Sequence, residues 1–492
     1  MRYDAAVRAA LAIVISLGQL ALWALLAAAS AHLLRLARWG WGRPLASDAP
    51  PALADFPVVT VQLPIRNERY VAERVLRAAC ALDWPRDRLE VQALDDSDDD
   101  TRAIVDRVAA ELRAAGHDVK VIRRESRAGF KAGNLAHGLA TARGEFIAVL
   151  DADSVPPRDL LARLVPPLLG DASLGFSQAR WSFENEARSL VTRVQALILD
   201  GLMLIEQPRL SALARPLQFN GSGGVWRRSA LEAAGGWLGP SSSASVTEDL
   251  DLSYRAQLAG FRGRQLAEAA VETELPSTMA AFRAQQARWV RGAGQVLRSL
   301  ARRIARPPAG VSGRDRVAMA AHLLRHARQP LLVALVAWLP LTALGVIRPL
   351  VDWPWAWPAI LALVWLSVGA YYGAAFTRLG RAPGAAFVLA PVVMALSLGL
   401  SLELSAALLS RRSEWARTPK SGPSQSGAPL AAARDAGYRA PRSGWTLIEL
   451  ALALGYAACA ALAMARGDAL PAAGLAAVAA SFAWVGLASL SN

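Results

Sequence analysis

Apolar and charged positions alternate in two different rhythms along this chain. An uncharged run at 9–31 gives way to a long stretch, residues 43 to 330, where apolar and charged positions interleave. Uncharged runs then return at 331–347, 353–377, 382–402, 450–465 and 469–492. A helix of roughly 20 apolar residues crosses the hydrocarbon core of a bilayer, so the pattern predicts membrane helices at both ends and one water-facing domain between them. Within that domain 57–65, 89–94 and 118–123 read as strands, 70–82, 102–115 and 131–143 as helices, and 146–150 as a buried strand. Such alternation predicts an open α/β sheet with its ligands at the carboxyl ends of the strands.

Charge orients the apolar runs. Arg35, Arg38 and Arg43 follow the first run, with Trp39 and Trp41 among them. Together they form a stop-transfer flank and an aromatic belt, which outweighs the cleavage-like Ala29-Ser30-Ala31 and makes the run an anchor. Between 283 and 328 eleven arginines face one acidic residue, Asp315. By the positive-inside rule both edges of the water-facing domain are then cytoplasmic. Val296, Leu297, Leu300 and Ile304 share one helical face opposite Arg298, Arg302, Arg303 and Arg306, as in a helix lying in the membrane interface. The loop 410–443 carries seven basic residues against Glu414 and Asp435, so it too is expected in the cytoplasm, like the loop at Arg378 and Arg381. Both loops can be cytoplasmic if 384–409, with Glu403 near its end, is in-plane or re-entrant, giving five crossings; one full span there gives six.

The expected division is therefore a 1–43 anchor, a 52–295 cytoplasmic domain, 296–328 amphipathic interface helices, and a 329–492 membrane region containing the loop 410–443. The expected location is a bacterial inner membrane, crossed several times. A net charge of +14 could also signal nucleic-acid binding, but arginines flanking membrane runs account for it, and no nucleic-acid partner is expected. Cys80 and Cys459 are the two cysteines; they lie far apart, with neither metal-ligand spacing nor a disulfide framework.

Polar residues just after the strands carry the candidate chemistry. Arg66-Asn67-Glu68 follows the first strand. The acidic run Asp95 to Asp100 follows the second, where a carboxylate can accept from a ribose hydroxyl or a base edge. Asp151-Ala152-Asp153 follows the buried strand 146–150; two carboxylates on one turn can share a divalent cation, which would neutralise a diphosphate leaving group. Arg127-Ala128-Gly129-Phe130-Lys131-Ala132-Gly133-Asn134 offers small residues and a lysine at a helix start, suited to phosphate. Lysine is scarce here, at Lys120, Lys131 and Lys420 only, so Lys131 is a candidate for a specific task. Thr247-Glu248-Asp249 follows further along. Gln285, Arg288 and Trp289 stand at helical i, i+3 and i+4, where arginine can bind diphosphate and an indole plane can stack on a sugar; a core role for Trp289 weighs about equally.

Taken in order, these segments resemble family 2 glycosyltransferases of the cellulose-synthase superfamily, in particular the group A cellulose-synthase-like mannan synthases and their bacterial relatives. The likeness runs from 57 to about 295, with a weaker echo in Trp415-Ala416-Arg417-Thr418-Pro419-Lys420. It implies a GT-A nucleotide-diphospho-sugar transferase domain joined to an α-helical transmembrane bundle, and an inverting hexose transfer. On the donor side it implies Asn67, Glu68, Asp95, Asp96, Lys131, Asp151, Gln285 and Arg288. Asp151 and Asp153 would bind Mg²⁺ or Mn²⁺. Asp249 would be the general base on the acceptor hydroxyl. Trp289, Glu248 and the segment Asn220, Gly221 and Ser222 would face the acceptor. The chain departs from the family in having Arg66 where an aromatic often stands, and Ser222-Gly223 where Thr-Ala is usual.

Polymerisation of a β-linked glucan or mannan, passed through the chain's own membrane bundle, is the leading expectation. Glycosylation of a lipid at the cytoplasmic leaflet is the alternative. The donor is a nucleotide sugar, UDP-glucose or GDP-mannose; the partners are a glycan or lipid acceptor and membrane lipids. A transporter or receptor with an inactive domain would be expected to have lost acidic motifs, and here all are intact.

Overall fold

The computed structural model describes residues 2–45, 53–239, 245–307, 310–345, 355–410 and 443–490, with side chains from residue 12 onward. The segment 415–420 and nearly all of the loop 410–443 lie outside the described residues.

The water-facing domain is built on a seven-stranded sheet in the order β3-β2-β1-β4-β6-β5-β7. The strands are β1 (Val59–Ile65), β2 (Leu89–Asp95), β3 (Asp118–Ile122), β4 (Phe146–Val149), β5 (Leu174–Phe183), β6 (Gly224–Arg227) and β7 (Arg262–Thr273). β1 pairs parallel with β2 and with β4, and β2 parallel with β3, whereas β6 runs antiparallel to both β4 and β5. The parallel strands β1 to β4 match those expected from the apolar runs; β5 to β7, of which β5 and β7 also pair parallel, were not among them.

Helices cover both faces. Val59, Val61, Leu63 and Ile65 point into one core with α2 (Ala72–Cys80), α3 (Thr101–Ala114) and α5 (Leu160–Gly170). Leu94, Ile147, Val149, Phe176 and Trp226 form the opposite core with α4 (Phe130–Leu139), α8 (Arg228–Ala233) and α9 (Glu248–Leu258). Between the apolar positions of β1, Thr60 and Gln62 are fully buried, which is tolerable only if they are hydrogen-bonded. Thr60 donates to Glu90 at 2.5 Å and Gln62 to Gln92 at 3.1 Å. Lys120 closes this ladder by pairing with Glu90, so one of the scarce lysines is structural.

Among the described residues four helices are long and apolar enough to cross a membrane, which makes this a membrane protein. They are 12–40 of α1 (Arg2–Gly40), α13 (Ala356–Arg378), and the helices Trp445–Ala465 and Ala469–Leu490. α14 (Gly384–Gly399) and α15 (Ser401–Leu409) form a pair bent by 52°. α12 (Arg328–Ala343) is shorter, at 16 residues, and holds Pro340.

Two elements seat the domain on this bundle. The first is α6 (Leu190–Gly201), which runs through a π-helical turn, Leu202–Glu206, into α7 (Gln207–Ala212). At its centre Gly201 allows α13 to approach: a Cβ there would lie 2.6 Å from the Tyr371 ring. The second is α10 (Met279–Ala305), a single helix of 27 residues, so the boundary expected at 295 falls inside one element. The apolar face of its second half packs on protein: Val296, Leu300 and Ile304 meet Leu250, Tyr254 and Leu258 of α9 and Met319 and Leu323 of α11 (Gly313–Leu324).

Near its start α10 carries Arg283, 1% exposed. Its guanidinium donates to Glu403 at 2.7 Å, to both oxygens of Glu449 at 2.6 and 3.1 Å, to Thr446 at 3.2 Å and to Ser489 at 2.9 Å. One arginine thus ties the domain to α15 and to both C-terminal helices.

Candidate active site

The carboxyl ends of β1, β2 and β4 open into one cleft, closed on the other side by the 219–222 turn, the end of β7, the start of α9 and the first turns of α10. Of the sequence-expected residues, Glu68, Asp96, Lys131, Asp151, Asp153, Asn220, Gly221, Ser222, Glu248, Asp249, Gln285, Arg288 and Trp289 all line it.

Asn67 and Asp95 are not among the lining residues. Asp95 is 2% exposed. It accepts from Arg123 Nε at 2.9 Å and from the Ser97 backbone N–H at 3.0 Å. Asn67 has a left-handed backbone, φ 54°. It donates through Nδ2 to Asp98 at 2.6 Å, and its Oδ1 accepts the Asp98 backbone N–H at 2.9 Å. Both therefore brace the loops that present Asp96, which accepts from Arg124 on both oxygens, at 2.9 and 2.7 Å.

At the centre, Lys131 on the first turn of α4 donates to Asp151 at 2.6 Å and to the Gly221 carbonyl at 3.0 Å, with Glu248 at 3.6 Å. Burial opposes the charge on Lys131, but Asp151, Glu248 and Asp249 together hold its pKa well above the ordinary value. Asp249 sits in the first turn of α9. Burial and the adjacent Glu248 carboxylate push it up to about 7, against the pull of Lys131. Burial lowers Arg288, opposed by Glu248, Asp151 and Asp249. A carboxylate near 7 is poised to take a proton at neutral pH, and two cations beside it are poised for an anionic group.

The turn at 219–222 leaves room for this arrangement. Gly221 has φ 84°, and a Cβ there would come within 2.8 Å of an Asp249 carboxylate oxygen, so a side chain would collide with the titrating group. Asn220 and Ser222, expected on the acceptor side, also hold the wall together. The Asn220 amide pairs in both directions with Gln207, at 2.7 and 3.2 Å. Ser222 Oγ accepts the Asp151 backbone N–H at 2.8 Å and meets Ser154 Oγ at 2.8 Å.

Asp153 is 6% exposed, and its Oδ2 accepts from the Thr273 hydroxyl at 2.6 Å and the Glu274 N–H at 3.3 Å. The Asp151 side chain is 37% exposed. Among the described residues no three His, Cys, Asp or Glu side chains converge as a self-contained metal cage. Two aspartates supply hard oxygens but only part of a coordination shell, which suits Mg²⁺ or Mn²⁺ completing its shell with diphosphate and water.

Sequence reasoning passed over Trp181, Thr273, Glu274 and Leu275, which also line the cleft. Trp181 donates its indole N–H to the Ser222 carbonyl at 3.2 Å and belongs with Trp289, Leu199 and Leu275 to one apolar cluster. They stand at or just beyond the carboxyl ends of β5 and β7, strands that no apolar run of the sequence signals.

The segment that carries this cleft is similar to known proteins. A family model described as "Glycosyltransferase like family 2" matches residues 57–292. Glucomannan 4-beta-mannosyltransferase 2 of Arabidopsis thaliana is 39% identical over 267 residues, covering 54% of this chain and 49% of the relative. Glucomannan 4-beta-mannosyltransferase 1 of Oryza sativa subsp. japonica is 40% identical over 268 residues, covering 54% and 51%. The chain thus spans about half the length of the curated relatives it matches. Among solved structures, mannosyltransferase PcManGT from Pyrobaculum calidifontis, in complex with GDP-Man and Mn²⁺, superposes with a TM-score of 0.51 at 23% identity, over 80% of this chain and 97% of that one. That likeness concerns the fold, a GT-A-like mixed sheet with helices. The cleft, its acidic motifs and the sheet that carries them lie in residues 57–292, the segment that matches the glycosyltransferase-like family 2 model.

Proposed function

We propose that the chain is a membrane-embedded inverting hexosyltransferase that transfers a sugar from a nucleotide sugar to a growing β-linked polysaccharide and passes the product toward its membrane bundle. The observation that carries this reading is the meeting of Asp249, poised near neutral pH, with Lys131, Asp151 and Arg288 in one cleft. The mannosyltransferase names of the relatives favour mannose, and GDP-mannose as its donor.

In this reading Asp249 takes the proton of an acceptor hydroxyl while that oxygen bonds to the anomeric carbon. The bond from that carbon to the diphosphate oxygen breaks at the same time, so a single displacement inverts the centre and needs one base. Asp96 and Glu68 face the nucleoside, with Asn67 and Asp95 holding their loops. Lys131, Arg288 and Gln285 face the diphosphate, whose growing negative charge the two cations stabilise. Asp151 and Asp153 would hold a divalent cation, which supplies further charge neutralisation at the leaving group. Trp289 offers the acceptor sugar an apolar plane, beside Glu248 and the 220–222 turn. The domain faces the cytoplasm of a multi-pass membrane protein, with the arginine-rich second half of α10 near the lipid headgroups.

Asp151→Ala is expected to abolish the Mg²⁺-stimulated part of nucleotide affinity, read by titration with and without the cation. Asp153→Ala should do the same and, because it releases Thr273 and Glu274, should also lower thermal stability. Cation-stimulated affinity unchanged in Asp151→Ala would remove the metal from this reading.

The function itself is tested by offering a panel of labelled nucleotide sugars to the purified protein and sizing the products. A β-linked polymer is expected. Only mono-glycosylated lipid at saturating donor would replace the polymer reading with the lipid one.

A further inference from the structure

We propose that Arg127 reads the nucleobase of the donor and selects guanine over uracil. This rests on the nucleotide-sugar reading of the cleft and adds the residue that decides which nucleotide it takes.

The cleft has two electrically distinct ends. Lys131 and Arg288 belong to one, where their charged neighbours are Asp151, Glu248 and Asp249. Arg127 belongs to the other, beyond the ends of β1 and β2, where its charged neighbours are Arg66, Asp96, Asp98 and Arg124. Ligands of an open α/β sheet lie across the carboxyl ends of its strands, so a donor whose diphosphate meets Lys131 and Arg288 would extend its nucleoside toward that second end. Pro64, Ile65, Arg66, Asp96 and Phe130 line it together with Arg127.

The other arginines at this end are already committed. Arg66 donates to the Asp96 carbonyl at 3.0 Å and to Asp98 at 3.3 Å. Arg124 grips the Asp96 carboxylate. Among the described residues the Arg127 guanidinium makes no hydrogen bond or ion pair; it is partly desolvated, repelled by Arg66 and Arg124 and attracted by Asp96 and Asp98. A ligand that offers acceptors there would engage its unused donors.

The loop that displays Arg127 is nevertheless held firmly. Arg124 also donates to the Ala128 carbonyl at 2.6 Å and to the Phe130 carbonyl at 2.7 Å. Gly129 and Phe130 take left-handed backbones, φ 72° and 49°. A Cβ on Gly129 would meet Leu238 at 2.7 Å. Arg127 is therefore presented on a pre-organised turn that is latched, through Arg124, to the Asp96 loop.

What a guanidinium at this place can read follows from the bases. Guanine offers two adjacent acceptors, O6 and N7, which match the arginine fork in a bidentate pair. Uracil offers O4 beside a C–H, and so only one bond. Adenine and cytosine place an amino donor where guanine places O6, which the guanidinium would repel. A bidentate base contact discriminates by about tenfold or more.

The test is titration of GDP and of UDP into the purified full-length protein in detergent with Mg²⁺. The wild type is expected to bind GDP more tightly. Arg127→Gln should weaken GDP about tenfold or more while changing UDP by less than about twofold, so the GDP/UDP ratio collapses. Arg127→Lys, a point charge without the fork, should weaken GDP to an intermediate degree. Equal weakening of both nucleotides would make Arg127 a phosphate ligand and overturn the proposal, as would a wild type that prefers UDP or a variant that binds GDP unchanged. If the wild type bound neither nucleotide, the nucleotide-sugar reading would fall as well.

Discussion

Replacing Asp249 by asparagine is expected to lower glycosyl transfer at least about 100-fold while leaving nucleotide affinity within about twofold of wild type. The amide keeps the size of the side chain and can still accept the Leu250 N–H that Oδ1 accepts at 2.8 Å, but it cannot take a proton from the acceptor. The wild-type kcat/KM should fall as pH drops below about 7, because burial and Glu248 raise the Asp249 pKa to that value and the protonated acid is no longer a base. Above that pH this limb should be flat, and the residual rate of Asp249→Asn should lack it. Stability moves the other way. A carboxyl whose folded pKa exceeds its unfolded value of 3.8 binds its proton more tightly when folded, so its contribution is lost as pH rises from about 4 to about 7. Asp249→Asn should therefore melt no lower than wild type at neutral pH, which separates a lost base from a damaged fold. Wild-type turnover in this variant would end the assignment.

Arg283→Met is expected to cost about 3–5 kcal/mol, the range for removing one partner of a buried ion pair. The loss strands Glu403 and Glu449, together with the hydroxyls of Thr446 and Ser489. Lysine at the same place keeps the charge but cannot span the bidentate contact with Glu449, so its effect should be intermediate. Adding Glu403→Gln and Glu449→Gln to Arg283→Met should recover part of the loss, since the stranded charges disappear. The measurement is the melting temperature of the detergent-solubilised protein. An unchanged value in Arg283→Met would mean that the other contacts, among them the Arg381–Glu186 ion pair, hold the domain on the bundle without it.

The parallel half of the sheet was legible because buried parallel strands read as near-continuous apolar runs. β6 has four residues and β7 interleaves Arg262, Arg264, Glu268 and Glu272 with its buried positions. Neither stands out from loop without knowledge of its neighbours. The motif order located nearly the whole cleft, yet could not tell Asp95 from Asp96. Successive residues leaving a strand point to opposite sides; here one turns to Arg123 beneath the loop and the other to the cleft. Scarcity marked Lys131 and Lys120 alike, and only the fold separates a cleft lysine from one that neutralises Glu90. Arg283 looked like one of many membrane-flanking arginines, because its partners Glu403 and Glu449 lie 120 and 166 residues away in sequence.

α10 runs unbroken from the Arg283 knot past the cleft to Ala305, and this makes the knot a fixed reference point for the helix. Helical rise puts Trp289 about 9 Å along the axis from Arg283, and Ala305 about 33 Å. Between Arg283 and Ala305 the same helix carries Gln285, Arg288 and Trp289 into the cleft, so the depth at which Arg283 is anchored among Glu403, Glu449, Thr446 and Ser489 sets where these three side chains stand.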